Sequence, residues 1–586
     1  MEDSPPRKRA RSEGTHGCVA IGRHTPDSIH AFFTQLSATT FDMKTLANPA
    51  NCISVTFPSL LRTSIEMQGP VYTHMGVPIV QEILQQMETL RVSSTLALLA
   101  TVGAGKSHIL ALVAGVLFSR GHRVVFIPDG PMIADDKIFW LKLAFALAFA
   151  DDQQMFHRLS KFTKLEDFVM LARESRDDVY FLVDGFDQLD DEMKQFVKAA
   201  SGTQILVYTA YALDTGFRRN SWIRIPSGFS QNEYNHWLTH YQDRIPSPVV
   251  EPYYSFIEYT SGAVPRLLQP LCRYAGSRLV DAVTMYRNCA FFEDLNDEVD
   301  EFVMKSEQWS ESQRTRFYQI MNACVTETLP EVRPGANTAL WDPKYFYFDN
   351  EGRGHTHCGI ARDAVIDFLR SVDLSLPTSL FTTDAWYACA RSPKIRMRCQ
   401  AITQICLTRI ATGGLSQADA TGGAMRIHIF RQTLSFGWMF EQALKTPQGT
   451  SSFFCIPGLE VCRFLAGVIV RINPRDKMVH LIPLQITTNS VCSDLATPFF
   501  AVVWHKWETA IREEGFNVMH TFVCVDSLLE NSKEVMRATA EHREKVKFIS
   551  PPYTMRSLSA AQLDPKLGRI LRPERSLPQD LTKRLP

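Results

Sequence analysis

The chain has few of the features that define membrane proteins, zinc proteins or disulfide-bonded secreted proteins. Its longest apolar runs are Ile109–Phe118 and Leu143–Ala150, far short of the roughly 20 residues that span a bilayer, so we expect no membrane partner. Its thirteen cysteines include no CxxC pair and no Cys/His cluster. This spacing argues against a zinc site and favours reduced thiols inside a cell.

The chain also lacks a net charge. Its 62 Lys and Arg residues balance 62 Asp and Glu residues, so no overall field attracts nucleic acid or an anionic membrane. Residues 1–15 nevertheless contain the basic cluster Arg7–Arg11 after two prolines, and this composition predicts a disordered tail. Such a cluster indicates a nuclear import signal, with the nuclear import machinery as partner; an ordinary solvated tail is the alternative.

A second basic segment lies at the other end of the sequence. From Lys545 to Pro586 there are nine Lys or Arg residues against three Asp or Glu residues, together with several prolines. A tail of this kind either binds phosphates or is simply a solvated terminus. The sequence leaves both interpretations open.

A chain of 586 residues is too long for one core and predicts two to four domains. Its 45% of apolar residues indicates that most of it is globular. The segment Ser93–Arg120 contains an apolar run of strand length, a glycine-containing loop and an apolar helix, which is the context that a Walker A P-loop requires. Backbone N–H groups of such a loop surround the phosphates of a nucleotide. The residues predicted to bind ATP are Gly103, Ala104, Gly105, Lys106, Ser107 and His108.

Two side chains of this loop have specific predicted roles. Lys106 would pair the β- and γ-phosphates of ATP, and the Ser107 hydroxyl would bind magnesium. Ala100 stands where the GxxxxGK[ST] pattern has its first glycine, a small departure because this residue ends a strand. The alternative is a glycine-rich turn before an unrelated helix.

The segment Val179–Asp191 has a Walker B pattern, an apolar strand that ends in Asp184. Asp184 would hold magnesium directly or through water, and Asp187 would activate the attacking water as general base; a buried strand followed by an acidic turn is the alternative. A further apolar strand, Thr203–Ala212, places Thr209 where a γ-phosphate sensor would stand. Because these strands alternate with helical segments, the sequence predicts a three-layer fold with a parallel sheet.

Arginines follow the predicted core. Phe217–Asn220 contains two arginines where a ring-forming ATPase keeps an arginine finger, which would imply an assembly of several copies. The segment Tyr259–Tyr274 carries Gly262, Pro265 and Arg266. This turn at the start of a helix predicts a helical lid over the nucleotide, with Arg266 as a second sensor; a plain helix start is the alternative.

Taken in order, these motifs resemble the NTPase module of Crinkler-type and retrotransposon-hot-spot-type proteins, on the residues Tyr72, Leu84, LLATVGAGKSHIL, FLVDGFDQ and SGAVPRLL. Those proteins are eukaryotic P-loop ATPases, usually joined to a restriction-endonuclease-like domain. The resemblance covers roughly Val71 to Asp526, and Trp341–Gly354 with a following helix looks like the family's joining segment. It implies the strand order 5-1-4-3-2 of AAA-plus and signalling (STAND) ATPases. The family's usual N-terminal ubiquitin-like header is not visible here.

Beyond Arg426 the pattern is helix, three strands, helix and strand (αβββαβ), which matches a restriction-endonuclease-like core. Such enzymes hold magnesium with an acidic helix residue, an Asp on the second strand and Glu/Gln-x-Lys on the third. Glu441 fits the helix position and Gln485 the third strand, but Thr487 replaces lysine and Gly467 stands at the Asp position. We therefore predict an incomplete metal site. The alternatives are a solvated helix residue for Glu441 and a strand-edge polar residue for Gln485.

These patterns divide the chain as follows: residues 1–15, a disordered basic tail; 16–70, a region of unknown role; 71–245, the P-loop NTPase core; 246–375, a helical lid and connecting segment; 376–550, the endonuclease-like domain; 551–586, a basic tail. They predict a nuclear protein that binds and hydrolyses ATP and acts on DNA through a catalytically degenerate endonuclease-like domain. The alternative is an ATP-switched signalling or effector protein whose C-terminal domain only binds nucleic acid or protein partners.

Overall fold

The structure, a computed structural model, describes most of the chain between residues 21 and 571. The structure does not describe residues 1–20, 57–70, 246–252, 332–339, 374–378, 416–424, 458–464, 488–498, 545–553 and 572–586. It also leaves out shorter stretches within 22–40, 129–135, 214–219, 275–289, 431–435, 446–448, 500–502 and 528–543, and the single residues 176 and 414. None of the described helices is both long and apolar enough to cross a membrane.

The chain folds into two compact units. The first comprises residues 1–293, Asp342–Tyr347 and His357–Gly359, and the second comprises Asp294–Trp341, Phe348–Thr356 and Ile360–Pro586. The chain therefore returns twice to the first unit after the second has begun.

The helices and strands of the first unit are, in chain order, α1 (Pro26–Ser37), α2 (Met43–Ala47), β1 (Cys52–Thr56), β2 (Val71–Met75), α3 (Pro78–Glu88), β3 (Thr95–Leu99), α4 (Lys106–Ser119), β4 (Arg123–Ile127), α5 (Lys137–Ala148), α6 (Gln153–Ser160), α7 (Leu165–Glu174), β5 (Val179–Val183), α8 (Asp191–Ser201), β6 (Ile205–Ala210), β7 (Asn220–Arg224), α9 (Gln231–His240), α10 (Tyr253–Ser261) and α11 (Pro265–Leu268). Ser230 caps α9 and forms a capping box with Glu233.

A five-stranded parallel sheet forms the centre of the first unit, with its strands in the order β4-β5-β6-β3-β7. When β3 to β7 are numbered 1 to 5 and the sheet is read from β7 to β4, this is the predicted order 5-1-4-3-2. The strands β3 and β6 are buried along their whole length, as apolar central strands are when helices cover both faces. The helix α4 is buried from Ile109 to Phe118, so the apolar run that is too short for a membrane is a core helix.

Part of the region 16–70, for which the sequence predicts no role, belongs to this core. In α1, Ile29 and Leu36 are fully buried in the same apolar cluster as the central strands. The strands β1 and β2 pair antiparallel as a separate two-stranded sheet.

The second unit contains α12 (Ala290–Met304), α13 (Glu311–Thr326), β8 (Phe346–Phe348), β9 (Gly354–Thr356), α14 (Gly359–Asp373), α15 (Asp384–Cys389), α16 (Ile395–Gly413), β10 (Arg426–Phe430), α17 (Phe436–Leu444), β11 (Ser451–Pro457), β12 (Gly467–Asn473), β13 (Met478–Thr487), α18 (His505–Glu513), β14 (Asn517–Asp526), β15 (Thr554–Ser559), α19 (Ala560–Leu563) and α20 (Pro565–Leu571); the first residues of α12, β8 and α14 are grouped with the first unit.

A six-stranded mixed sheet runs from β10 to β15 in sequence order. The hairpin β12–β13 is antiparallel, and β14 lies parallel to β13. One face of the sheet carries the apolar side chains of α17 and α18, among them Phe440 and Trp507. The order α17, β11, β12, β13, α18, β14 is the predicted αβββαβ order, and β10 and β15 extend the sheet at its two edges.

The predicted basic tail from residue 551 on is partly wrong. Residues Thr554–Leu571 form β15, α19 and α20, and Asp564 is buried with 1% of its surface exposed. Leu558 and the fully buried Ala560 and Leu567 pack this segment into the fold. The prediction of a tail rested on its basic residues and prolines. Only 572–586 lie outside the described residues at this end.

Candidate nucleotide-binding site

The loop between β3 and α4 has the backbone conformation of a P-loop. Gly103 and Gly105 have φ angles of 74° and 91°, which only glycine adopts without strain. A Cβ atom on Gly103 would also lie 2.9 Å from Cβ of Arg266. The helix α4 begins at Lys106, so its unpaired first N–H groups and its partial positive charge lie at this loop.

Lys106 is held by the loop itself. Its Nζ donates to the carbonyls of Ala100 at 3.0 Å and Thr101 at 2.8 Å and lies 4.0 Å from the centre of the Tyr211 ring. Burial lowers the pKa of this ammonium to about 8, and the nearby Asp187 and Asp184 oppose that effect. The ammonium therefore stands between the P-loop and the two carboxylates of the Walker B segment.

Asp184 is the centre of a hydroxyl network at the carboxyl end of β5. Its Oδ1 accepts hydrogen bonds from Ser107 Oγ at 2.9 Å and Thr209 Oγ1 at 2.7 Å. Thr209 Oγ1 also accepts from the Gly185 N–H at 2.7 Å. Thr209 is fully buried, and it donates its proton to Asp184, so its hydroxyl positions that carboxylate. Its predicted role as a γ-phosphate sensor stays a prediction.

Asp187 is exposed to solvent, three residues beyond Asp184. Its Oδ2 accepts from the Tyr211 N–H at 3.0 Å. The surrounding protein raises the pKa of Asp187 by desolvation, against the opposing effects of that N–H and of Lys106. Tyr211 thus touches both the predicted base and the predicted phosphate-binding lysine, and sequence reasoning did not single it out. The available signal was its position directly after β6, the strand that carries Thr209 and ends at Ala210.

The predicted lid lies against the P-loop. The Arg266 N–H donates to the Gly103 carbonyl at 3.3 Å, and Pro265 begins α11. Arg266 itself is exposed, so its guanidinium is accessible beside the loop. Gly262 has a φ of 60°, which allows the sharp turn before the lid helix.

His108, the last residue predicted to bind the nucleotide, faces elsewhere. Its ring centre lies 5.8 Å from that of His74. Burial and the neighbouring His74 keep the pKa of His108 well below its usual value. The side chain thus lies beside the His74 imidazole, whose pKa burial lowers to about 4. The predicted nucleotide contact of His108 stays a prediction.

A segment far along the sequence also belongs to this site. The Val102 N–H of the P-loop donates to the Lys344 carbonyl at 2.9 Å. The Asp342 charge helps to raise the pKa of Tyr211 to about 12, after burial and Asp187. The sequence pattern gave no indication that residues from the predicted connecting segment contact the loop.

In the second unit the predicted endonuclease residues differ in their burial. Glu441 is exposed on α17, whereas Gln485 is buried in β13 and Thr487 donates to the Val525 carbonyl at 3.3 Å. Gly467 pairs with Leu484, so a side chain there would point to the opposite face from Gln485. A Cβ atom on Gly467 would lie 2.9 Å from the Phe454 ring.

No group of three or more His, Cys, Asp or Glu residues suited to a metal ion occurs in the described part of the chain. Asp476, which the hairpin places in its turn, bonds to Asn473 at 2.7 Å. Two predictions concern residues that the structure does not describe: the arginines Arg218 and Arg219, and the cluster Arg7–Arg11.

The P-loop, the Walker B carboxylates and the strand order together define the fold of a P-loop NTPase. No protein-family model matches the chain, and no curated protein matches it in sequence. A solved STAND protein with a tetratricopeptide repeat sensor, from Pyrococcus horikoshii, matches 58% of this chain at 10% identity and a TM-score of 0.24. The chain spans 48% of that protein's length.

A second similar structure is the replication initiator DnaA bound to AMPPCP and single-stranded DNA. It matches 45% of this chain and 85% of its own at 11% identity, with a TM-score of 0.21. Both TM-scores are below 0.5, so neither match assigns an activity or a partner to this chain.

Proposed function

We propose that the first unit binds ATP with magnesium and hydrolyses it. The observation that carries this proposal is the position of Asp184 and its network. The P-loop follows β3 and Asp184 follows β5, so both lie at the carboxyl edge of one parallel sheet, and Ser107 joins them by a hydrogen bond of 2.9 Å. A phosphate held by the N–H groups of the loop would face Asp184 and Asp187 across this edge.

The residues at this edge fit magnesium. A hydroxyl oxygen of Ser107 and a carboxylate oxygen of Asp184 are hard oxygen ligands, which magnesium prefers, with phosphate and water oxygens completing its shell. Thr209 fixes the Asp184 carboxylate by the shared hydrogen bond. When bound, the ion would neutralise charge that develops on the transferred phosphate.

Lys106 completes the phosphate site. It is already within the loop, where two backbone carbonyls satisfy it. A nucleotide phosphate offers a charged acceptor in place of these neutral ones, and hydrogen bonds between charged partners are stronger. We therefore infer that Lys106 exchanges the Ala100 and Thr101 carbonyls for phosphate oxygens when ATP binds.

Asp187 is suited to the role of general base. It is accessible to water, and desolvation raises its pKa, which brings the carboxylate closer to the pH at which it must accept a proton. The Tyr211 N–H holds one carboxylate oxygen at 3.0 Å and leaves the other for the attacking water.

The first test is Lys106→Ala, with Lys161→Ala, an exposed lysine of the same unit, as control. We expect Lys106→Ala to abolish ATP turnover by the purified protein, because the ammonium is lost from the transferred phosphate. Lys161→Ala should hydrolyse ATP at the rate of the unmodified protein. Undiminished turnover in Lys106→Ala would show that this loop is not the hydrolytic site.

For the second unit we propose weak DNA binding through an endonuclease-like domain that cuts slowly or not at all. The support is the αβββαβ order together with the exposure of Glu441 and the ring of Phe454 where a Gly467 side chain would stand. Metal-assisted cutting needs at least two well-placed anionic ligands. The resemblance to Crinkler-type proteins is the reason for placing this domain beside an ATPase; an effector whose second unit binds only a protein is the alternative.

DNA binding is tested by fluorescence anisotropy with a labelled duplex at two salt concentrations. Phosphate contacts from basic residues such as the exposed Lys506 should make the affinity fall steeply with salt. The same protein should leave the duplex uncut when magnesium is added. Rapid magnesium-dependent cutting that disappears in Glu441→Ala would overturn the proposal, and no salt-sensitive binding would favour the protein-binding alternative.

A further inference from the structure

The imidazole of His357 is buried, and its ring centre lies 5.8 Å from that of Tyr345. Only 2% of its surface is exposed, and neither Nδ1 nor Nε2 has a hydrogen-bond partner among the residues that the structure describes. Burial lowers its pKa to about 3, and the Lys106 charge acts in the same direction. The ring is therefore neutral at pH 7, with one N–H donor and one acceptor, and burying both without partners disfavours folding.

Backbone contacts place this residue beside the P-loop. The His357 N–H donates to the Tyr345 carbonyl at 2.8 Å, and the adjacent Lys344 carbonyl accepts from the Val102 N–H of the loop at 2.9 Å. On the lid side, a Cβ atom on Gly262 would lie only 2.4 Å from the His357 carbonyl oxygen. The segment that carries His357 is therefore packed between the loop and the turn before the lid.

A second polar group near Lys106, the Thr101 hydroxyl, is also buried without a hydrogen-bond partner among the described residues. Thr101 is fully buried, and its carbonyl binds Lys106. Most buried polar groups in native proteins are paired, and an unpaired one is explained by strain, by a functional role or by a bound water or ion. Two such groups near the lysine that pairs phosphate point to a ligand with hydrogen-bond acceptors.

We propose that the His357 imidazole donates a hydrogen bond to the nucleotide phosphate that Lys106 pairs. This inference rests on the proposed ATP site and adds a residue about 250 positions beyond the P-loop in sequence. A neutral ring can approach Lys106 without the repulsion that an imidazolium would suffer. Its N–H then gains a charged acceptor, the stronger class of hydrogen bond, and the orphaned donor becomes satisfied only when nucleotide is bound.

The test is His357→Phe in the full-length protein, measured for thermal unfolding without nucleotide and for ATP affinity with a fluorescent ATP analogue. Phenylalanine keeps the ring and removes the uncompensated polar atoms, so we expect equal or higher thermal stability. The affinity should fall about ten- to a hundredfold, the loss expected for one hydrogen bond to a charged group. A purely structural histidine would give the opposite pattern, lower stability with unchanged affinity.

Two further variants keep the test decisive. His357→Gln restores an N–H donor and should recover part of the lost affinity. His122→Phe is the matched control, since His122 packs on Tyr180 just before β4, at the opposite edge of the sheet from the P-loop, and its affinity should not change. If His357→Phe unfolds, the smaller apolar His357→Leu is measured in its place.

The outcomes separate the two proposals. Absence of ATP binding in the unmodified protein would overturn the proposed function itself. Binding that Lys106→Ala abolishes but that His357→Phe and His357→Leu leave unchanged would overturn only the role of His357. Loss of affinity in those variants, with stability kept and with recovery in His357→Gln, supports that role.

Discussion

Asp184 and Asp187 are three residues apart and have different surroundings. Asp184 is buried and accepts two hydroxyl hydrogen bonds, whereas Asp187 is open to water.

We expect Asp187→Asn to keep ATP affinity and to lower turnover by about a hundredfold or more, because only the proton acceptor is removed. Turnover and the affinity for a fluorescent ATP analogue check this, with Asp191→Asn, at an exposed aspartate in α8, as control. Loss of affinity in Asp187→Asn would mean that the carboxylate is structural.

Residue-scale prediction from sequence succeeds where the chemistry is local. The P-loop residues lie within eight positions, and the strand–loop–helix pattern already gives their relative positions. The sequence singled out Thr209 but not its hydrogen bond to Asp184, and it did not indicate Tyr211, because these contacts depend on how the strands pack. Nothing local connects His357 to the loop, because that contact exists only in the folded chain.

At the scale of helices and strands, the carboxylate of Asp564 joins the helix pair α19–α20 to the helices α15 and α16 of the same unit. Asp564 Oδ2 accepts from Tyr387 Oη and Arg409 Nε, each at 2.6 Å, and Oδ1 accepts from the Leu567 N–H at 2.8 Å. Burial would raise the pKa of Asp564, but these three donors together lower it. The ionised carboxylate therefore holds the junction of α19 and α20 against α15 and α16.

We expect Asp564→Asn to lower the free energy of unfolding of the second unit by about 2 kcal/mol, since charge-assisted hydrogen bonds become neutral or are lost. The folded pKa lies below the usual 3.8, so the stabilisation is complete above that value and is lost as pH falls through the folded pKa. Denaturant unfolding at pH 7 and near pH 3 measures this: the difference between the variant and the unmodified protein should shrink at the lower pH.

The control is Asp384→Asn. Asp384 pairs with Lys566 of the same helix α20, but its side chain is 95% exposed, and exposed ion pairs contribute little. Equal destabilisation by both substitutions would show that the buried network has no special part in anchoring α20.

Helices and strands were predicted correctly from the sequence where an apolar run is long and has polar residues at both ends. The strands β3 to β6 follow directly from such runs, and the hairpin β12–β13 from two of them around a polar turn. The order of the strands needed the family resemblance, since right-handed crossovers restrict the possible orders without selecting one. The edge strand β15 was missed because TMRSLS is short and mostly polar. Pairing with β14, rather than intrinsic preference, makes it a strand.

At the scale of the whole molecule, the predicted nuclear localisation rests on a short basic cluster rather than on the fold. We propose import into the nucleus through the cluster Arg7–Arg11, whose charge density is the kind that import carriers bind. A chain of 66.4 kDa crosses a nuclear pore slowly unless it is carried. We expect deletion of Met1–Arg11 to move a fluorescent fusion of the protein from the nucleus to the cytoplasm, without any change in its ATP turnover.

Two further experiments test whether the basic cluster itself is the import signal. Deletion of Met1–Pro6 alone keeps the basic cluster and should leave the protein nuclear, so shortening itself is controlled. Residues 1–15 joined to an unrelated cytoplasmic protein of similar mass should carry that protein into the nucleus, because the signal is the basic cluster and does not need the folded units. An unchanged nuclear distribution after deletion of Met1–Arg11 would require a different import signal, and the basic residues from Lys545 to the end of the chain would then be the next segment to remove.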